Sequence, residues 1–428
     1  MQVSKEELSW GQDKAKRLRQ NIVLAVSTIF LGLIVGLSSL LLSLFLEAVE
    51  HLFLGFEESS LIPVASKVLP ERRLFSLLLG GIIAALIWYL LQKKFKRNVS
   101  INKALAGERM PVFTTVIHVM TQIFYVGVGG SIGRELAPRE AGSMLAQQWV
   151  TLLDRLGLRD LEAADRKLLI AAAAGAGFAG VYIAPITGLM FSTEILLKKL
   201  SARTVSVSLV MSIIATLVGA TIKGFHPYYL LADTKFSLAL LPFILLVGPL
   251  GGMIGAYLRR GFTWADQHKA KYEQILWQLP LAALLTGIIA MFYPEIMGNG
   301  RGTAELAITA NSHTLVYVLA FGMVAKALVT TLTIKGGAWG GTLTPSIAVG
   351  AAFGAISATA YVLLVPSATL GQGALLGACA VLAASQKAPL MALFMLFEVC
   401  HLDYSALLPL GLSVALAMTF AKIVDRNL

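Results

Sequence analysis

Apolar stretches long enough to cross a bilayer alternate along this chain with short polar intervals. Hydrocarbon about 30 Å thick asks for roughly 20 apolar residues in helical form. Runs of that order lie at 21–46, 74–92, 111–130, 168–197, 204–222, 236–258, 276–293, 314–334, 346–365, 370–400 and 406–425. The intervals 47–72, 93–110, 155–167, 223–235, 259–275 and 294–312 carry the polar residues and read as connections. In hydrocarbon every peptide group must find its partner inside the protein, so the expected fold class is an all-α polytopic membrane protein. Two runs are too interrupted to be single straight helices. The run 168–197 changes character at Ala184-Pro185 and the run 370–400 at Gln386-Lys387-Ala388-Pro389, and each predicts two helices meeting at membrane depth. Small-residue stretches at 171–179 and 248–252 predict close helix approach.

Ahead of the first run, Lys5, Lys14, Lys16, Arg17 and Arg19 are interleaved with Leu8, Trp10 and Leu18, and no small-residue cleavage signal follows. This predicts a short amphipathic helix over 1–20 lying on the cytoplasmic membrane face rather than a signal peptide. The remainder divides into a first half, 21–222, an inter-repeat loop, 223–235, and a second half, 236–428.

That division rests on a repeated break. Residues 127–142, GVGGSIGRELAPREAG, put Arg134, Glu135, Arg139 and Glu140 on glycine- and proline-broken backbone inside an otherwise apolar region. Charges and unpaired peptide groups survive there only where they line an enclosed or water-filled site. A similar stretch, GGAWGGTLTPS, recurs 207 residues on, with Gly129, Gly130, Gly133 and Pro138 answered by Gly336, Gly337, Gly340 and Pro345, and Thr342 standing in the place of Glu135. Ala184-Pro185 precedes Glu194 by the interval that separates Ala388-Pro389 from Glu398. Matched breaks in the two halves are the signature of a repeat-built transporter with its site at the repeat interface.

Composition supports this. The chain is 57% hydrophobic and 14% charged, against about 25% charged residues in soluble proteins. Its net charge of +11 sits in short loops between apolar runs, as in the positive-inside pattern, and does not indicate nucleic acid. Cys379 and Cys400 both fall in apolar segments and the six histidines form no HxxxH pair, so neither a disulfide framework nor a metal site is expected. Ser131 with His118 is the one nucleophile-base pair near the core, and it lacks an orienting third group. A cation carrier built on Glu135 would call for more intramembrane carboxylates than Glu194 and Glu398.

A helix that starts inside the membrane presents free N–H groups and about half a positive charge at its N-terminus. Segments starting near Glu135 and near Thr342 would converge on one small anion, with Thr342 and Thr344 adding hydroxyls and the glycines admitting the ion to bare backbone. Glu135 then acts as a tethered surrogate for the anion that leaves when protonated, serving as gate and proton carrier. Its alternative is a structural ion pair with Arg134 or Arg139. Glu194 and Glu398 read mainly as structural or interfacial.

At these residues the chain resembles the CLC family of chloride channels and proton-coupled chloride transporters. GSIGRELAP is similar to that family's Gly-Lys/Arg-Glu-Gly-Pro segment, GGTLTPS to its Gly-x-Phe-x-Pro segment, and YIAPITGLMFSTE to its Phe-Asn-Ala-Pro-Leu-Ala-Gly helix. The resemblance spans roughly residues 20–425. It implies an inverted repeat of tilted, broken transmembrane helices, a homodimer with one pore per subunit in the cell (inner) membrane, and no cofactor, with chloride as the bound substrate. It also implies that Glu135 gates and that amides near Leu343 and Thr344 bind the anion. The candidate anion set is Gly133, Arg134, Gly341, Thr342, Leu343, Thr344 and Pro345. Four departures from the pattern are visible. RNVSINK replaces the family's serine segment, leaving Asn98 or Ser100 to substitute, and the inner proton-passing glutamate falls at Ile195, beside Glu194, which becomes the candidate inner proton route. No tyrosine follows Tyr404, and Leu343 replaces a phenylalanine while Leu-Ala intervenes before Pro138. The serine and glutamate departures resemble the fluoride-transporting branch, so the expected partners are protons and halides, chloride first and fluoride as the alternative.

Overall fold

The structure, a computed structural model, describes the backbone of residues 5–59, 62–158 and 160–426, and side chains from Lys14 onward, His313 excepted. Residues 1–4 of the expected N-terminal helix, and the side chains of Lys5, Leu8 and Trp10, lie outside the described residues. In chain order the helices are α1 (Lys5–Leu54), α2 (Pro70–Lys94), α3 (Ile101–Leu105), α4 (Val112–Gly127), α5 (Leu136–Arg155), α6 (Ala163–Tyr182), α7 (Pro185–Met190), α8 (Ala202–Lys223), α9 (Leu241–Gln267), α10 (Ile275–Phe292), α11 (Arg301–Ile308), α12 (Val316–Lys335), α13 (Leu343–Leu364), α14 (Leu370–Gln386), α15 (Pro389–Val399) and α16 (Leu407–Arg426). No named strand occurs among the described residues, and eight helical segments are long and apolar enough to cross a membrane.

Both expected breaks are present, with nearly the same backbone. α6 ends on Ile183 at φ 55° and ψ 43°, and Ala184 at φ −131° and ψ 76° leads into Pro185. α14 ends on Lys387 at φ 53° and ψ 37°, and Ala388 at φ −137° and ψ 81° leads into Pro389. In each case the proline ring fits the first turn of the next helix, where its missing N–H would be unpaired anyway. A π-helical stretch, Phe191–Leu197, continues α7 and carries Glu194, half-buried.

Other expectations need correction. The helix over 1–20 is not a separate element, because α1 runs unbroken through residue 20 and no proline or glycine stands between Lys14 and Gly32 to stop it. α5 lies between two of the expected spans and escaped notice as a run because its first turns carry Arg139 and Glu140. α3 and α11 are short helices inside intervals read as connections.

By backbone contacts the chain forms two units. The first comprises Met1–Leu40, Val99–Thr115 and Pro138–Ile222, and the second Leu41–Asn98, Val116–Ala137 and Lys223–Leu428. In the first, Leu24, Leu31, Leu169, Met211 and Ala215 share a buried core, and α6 is buried from Leu168 to Tyr182. Small residues permit this: a Cβ on Gly177 would stand 2.1 Å from the Pro138 carbonyl oxygen. In the second unit α13 packs on α14 and α12, α9 on α14 and α16, and α2 on α10. There a Cβ on Gly252, in the small-residue stretch 248–252, would stand 2.2 Å from the Ala417 carbonyl oxygen.

Close approach at Gly177 makes a direct test. Gly177→Ala forces backbone apart and is expected to destabilise by about 1–3 kcal/mol. Gly261→Ala, in α9, finds only the Thr331 hydroxyl, 4.0 Å away, and is expected to be neutral or mildly stabilising. Thermal unfolding of both variants in detergent measures the contrast, and equal behaviour would remove the packing argument.

Candidate functional site

The site forms where the two glycine-rich breaks meet. α4 ends at Gly127, and the chain turns at Gly129, whose φ of +104° is readily adopted only without a side chain. Gly130 N–H closes the turn on the Tyr125 carbonyl at 2.8 Å. After α12 the same turn recurs, with Gly337 at φ +111° and Ala338 N–H donating to the Thr333 carbonyl at 3.2 Å. The two strands of broken backbone then join as an antiparallel bridge. Gly133 N–H donates to the Gly341 carbonyl at 2.8 Å, and Gly341 N–H to the Gly133 carbonyl at 2.7 Å.

This geometry corrects the glycine pairing read from the sequence. Gly129 and Gly133 match Gly337 and Gly341 in backbone role, 208 residues apart, rather than Gly336 and Gly340. The helices that follow, at Leu136 and Leu343, remain 207 apart. The first copy thus holds one more residue between bridge and helix, Arg134 and Glu135 against Thr342 alone.

Glu135 is fully buried, and its carboxylate lies on the N-terminus of α13. Oε1 accepts from the Leu343 N–H at 2.6 Å and the Thr344 N–H at 3.3 Å, and Oε2 from the Thr344 hydroxyl at 3.5 Å. These amides are unpaired within α13, and the macrodipole of a 22-residue helix adds positive potential there. A Cβ on Gly133 would stand 2.2 Å from Oε2, and one on Gly341 2.3 Å from the carboxyl carbon, so both positions must be glycine for the carboxylate to fit. Thr342 is the residue before α13, and its hydroxyl accepts from the Gln386 side chain at 3.3 Å. Pro345 occupies the first turn, buried. Ser100 precedes α3, and Asn98 lies in the preceding coil. Arg139 stacks on the Phe191 ring at 4.7 Å. Ser131 and Thr330 hydroxyls are 3.2 Å apart, and His118 Nδ1 accepts from Trp88.

Beside Glu135 in sequence, Arg134 belongs to a buried polar layer. Its Nη2 is 3.5 Å from Oε1 of Glu58 and donates to the Tyr228 hydroxyl at 3.3 Å. Arg301, the first residue of α11, donates to the same Glu58 oxygen at 2.8 Å and to the Tyr228 carbonyl at 2.6 Å. The Tyr228 hydroxyl reaches Glu58 Oε1 at 3.3 Å and accepts from Asn299 at 3.0 Å. Burial pushes the Glu58 carboxyl up, but Arg134 and Arg301 outweigh it and hold the group below the usual carboxylate range. Buried Lys326 steadies this turn from α12, donating to the Ile296 and Gly298 carbonyls at 2.9 and 2.8 Å. Sequence reasoning missed Glu58, Tyr228, Asn299, Arg301 and Lys326. Glu58 sits in a plain polar interval and carries no signal. Gly298-Asn299-Gly300-Arg301-Gly302, an arginine among glycines like GGSIGR, was the signal for Arg301.

Helices broken at membrane depth, around a carboxylate seated on helix amides, define a multi-pass integral membrane protein of the ion-transport class. A family model described as voltage gated chloride channel matches residues 79–422, and the chain belongs to that family, the CLC family, whose members are channels or transporters and not enzymes. It is 28% identical over 402 residues to the voltage-gated ClC-type chloride channel ClcB of Escherichia coli O139:H28, covering 89% of this chain and 90% of that one. Among solved structures, a slow cyanobacterial Cl−/H+ antiporter superposes with a TM-score of 0.78 at 22% identity, covering 94% of each chain. A CLC-type fluoride/proton antiporter superposes at 0.71 with 19% identity, covering 99% of this chain and 98% of that one. At these identities the structures establish the fold.

One consequence of the polar layer is measurable without transport. Glu305, on α11, accepts from the Leu230 N–H at 3.1 Å through Oε1, while Oε2 is buried without a hydrogen bond. Burial raises this carboxyl from 4.5 to about 7, against the Leu230 amide and Arg301, which lower it. The folded state then holds a proton that the unfolded state releases, so this share of stability is present below pH 4.5 and is lost as pH rises through about 7. Glu58, being lowered, loses its share only at more acid pH and does not interfere. Glu305→Gln is expected to lose less melting temperature than wild type between pH 5 and pH 8. Equal losses in the two proteins would count against this assignment.

Proposed function

We propose that this protein carries small halide anions across the membrane, that Glu135 is its gate and proton carrier, and that chloride is the principal substrate. The observation that carries the reading is the Glu135 carboxylate on the Leu343 and Thr344 amides at the start of α13. Those donors compensate a desolvated negative charge, and a carboxylate and a halide are alternative occupants of the same site. Protonation removes the charge that holds Glu135 there, so a proton arriving and an anion entering are linked events. Gly133 and Gly341 keep the approach free of side chains. Arg134, Thr342 and Pro345 complete the surroundings, and Asn98 or Ser100 stands in for the absent serine of the inner anion site. Glu194 is the inner proton route. The halves 21–222 and 236–428 act as an inverted repeat, supported by the matched backbone at Ile183-Ala184 and Lys387-Ala388. The protein works as a homodimer in the cell membrane. Fluoride is the second reading, favoured by the missing serine segment, by Ile195 at the inner glutamate position and by the likeness to a fluoride/proton antiporter.

Purified protein in sealed liposomes is expected to pass halides and exclude potassium. Efflux of chloride and of fluoride, each against potassium, decides selectivity, and equal potassium and halide fluxes would defeat the proposal.

Transport is expected to rise as pH falls, because protonated Glu135 vacates the amides. Glu135→Ala removes plug and proton carrier together and should conduct anions with neither pH dependence nor proton movement. Glu135→Gln keeps the size and loses the charge, so its flux relative to Glu135→Ala separates electrostatic from steric blockade. Retention of wild-type pH dependence in Glu135→Ala would clear this residue, and failure of that variant to assemble would favour a structural ion pair.

A further inference from the structure

Away from Glu135, the apolar spans Leu238–Gln267, Val316–Lys335 and Tyr404–Arg426 come to their polar ends side by side. The Ala270 N–H, just past α9, donates to the Lys335 carbonyl at the end of α12 at 2.7 Å, and Arg260 Nη2 of α9 donates to the Val424 carbonyl of α16 at 2.9 Å. A groove of about 400 Å³ opens here, of a size that holds small ligands, with Arg259, Arg260, Trp264, Lys387 and Asp425 in its walls. Lys387 comes from the break that ends α14.

Charge in this groove is one-sided. Among the described residues Asp425 is its one carboxylate, and three cations share it: Arg259 and, at 3.8 Å, Arg260 on Oδ1, and Lys387 on Oδ2 at 3.1 Å. The other partners of the two arginines are the Ala384 and Val424 carbonyls, which carry no net charge. Asp266, further along α9, is taken by Lys269 at 2.6 Å. Arg259 is a fixed wall with its side chain 16% exposed, whereas Arg260 and Lys387 keep 32% and 60% of theirs open.

α9 leads from the groove down its apolar side. Leu246, Leu250, Met253, Tyr257, Arg260 and Trp264 are spaced alternately by four and three residues and so fall on one face of the helix. The three aliphatic residues, the tyrosine and the tryptophan are all exposed. The face is aliphatic along its length and ends on tyrosine, arginine and tryptophan, the aromatic pair being of the kind that sits at headgroup level. A free phosphate would use the cations and leave this stripe idle. A lipid uses both.

We propose that the groove binds the phosphate headgroup of an anionic lipid, with Arg260 and Lys387 on the phosphate, Arg259 and Trp264 as walls, and an acyl chain along the exposed face of α9. One carboxylate does not saturate three cations, and guanidinium and ammonium both suit phosphate oxygens. A zwitterionic headgroup brings its own cation against Arg260 and Lys387 and is disfavoured. The site is independent of which ion the protein carries.

Native mass spectrometry of the full-length protein in detergent, titrated with phosphatidylglycerol or phosphatidylcholine, measures the affinity for the first lipid bound. Wild type is expected to hold phosphatidylglycerol several-fold more tightly than phosphatidylcholine. At about fivefold per cation near a membrane surface, Lys387→Gln should weaken phosphatidylglycerol about fivefold and Arg260→Gln with Lys387→Gln about twentyfold, with phosphatidylcholine unchanged. Arg260→Lys keeps the charge and should retain most of the affinity. Lys422→Gln removes the same charge from an exposed position on α16 outside the groove and should stay within about twofold of wild type. Lys387 is exposed, so Lys387→Gln carries the test alone if the double variant fails to fold. Equal affinity of wild type for the two lipids overturns the site. So do equal losses in Lys422→Gln and Lys387→Gln, which mark diffuse attraction to a basic surface. Inorganic phosphate that raises the melting temperature of lipid-free protein as much as phosphatidylglycerol does would make a soluble anion the ligand and overturn the assignment to lipid.

Discussion

The seat of the Glu135 carboxylate on the α13 amides is the interaction on which the rest of the site depends. A charged group with no solvent exposure survives only where donors replace its water, and here the donors are backbone groups that a helix start leaves over. Those groups are in place because α13 begins abruptly at Leu343, within buried protein. It begins there because the Gly133–Gly341 bridge fixes the incoming chain. The bridge in turn needs the turns at Gly129 and Gly337, with their positive φ. Each link requires the one before it, and a side chain at Gly133 or Gly341 would fill the space the carboxylate occupies.

Much of this was legible from residue types. Apolar runs fixed the class, because no other composition tolerates so few charges over such lengths. The Ala-Pro breaks fell where expected, since proline removes a donor and restricts the residue before it, whatever surrounds them. Glu135, Leu343 and Thr344 stood together among the candidate site residues, and the Glu135 carboxylate lies on the Leu343 and Thr344 amides. What escaped notice has a common cause. α5 carries Arg139 and Glu140 and fails a hydropathy threshold, yet packs to a buried helix because the residues facing it are small. The one-residue slip between the copies was hidden because consecutive glycines align equally well in two registers, and only hydrogen bonds choose between them. Glu58 and Tyr228 are 170 residues apart, and no local pattern announces a contact at that range.

The polar layer behind Arg134 shows how a membrane protein keeps charge buried without neutralising it. Glu58 is held ionised by two guanidiniums, whereas Glu305, four residues along α11 from Arg301, has a single amide donor and drifts toward the neutral form. The difference is the positive charge each faces, Arg134 and Arg301 at Glu58 against Arg301 alone at Glu305, since burial raises both carboxyls. Lys326 is satisfied by carbonyls alone, so its contribution is to fix the Gly298-Gly300 turn from which Arg301 projects.

The repeat is symmetric in backbone and asymmetric in chemistry, and the asymmetry is what makes one site from two copies. Both copies contribute a bridging glycine, and both start a helix just beyond it. A carboxylate in each would place two like charges on one pair of helix ends, and one of them would have to stay protonated. With no carboxylate in either, the amides would have no internal partner. The first copy carries the extra residue and the carboxylate, and the second carries Thr342, whose hydroxyl is engaged by Gln386, and bare amides behind it. Donor and occupant thus come from opposite copies. The Gly133–Gly341 bridge joins the two copies through backbone alone, so it does not depend on the charge of the carboxylate seated beside it.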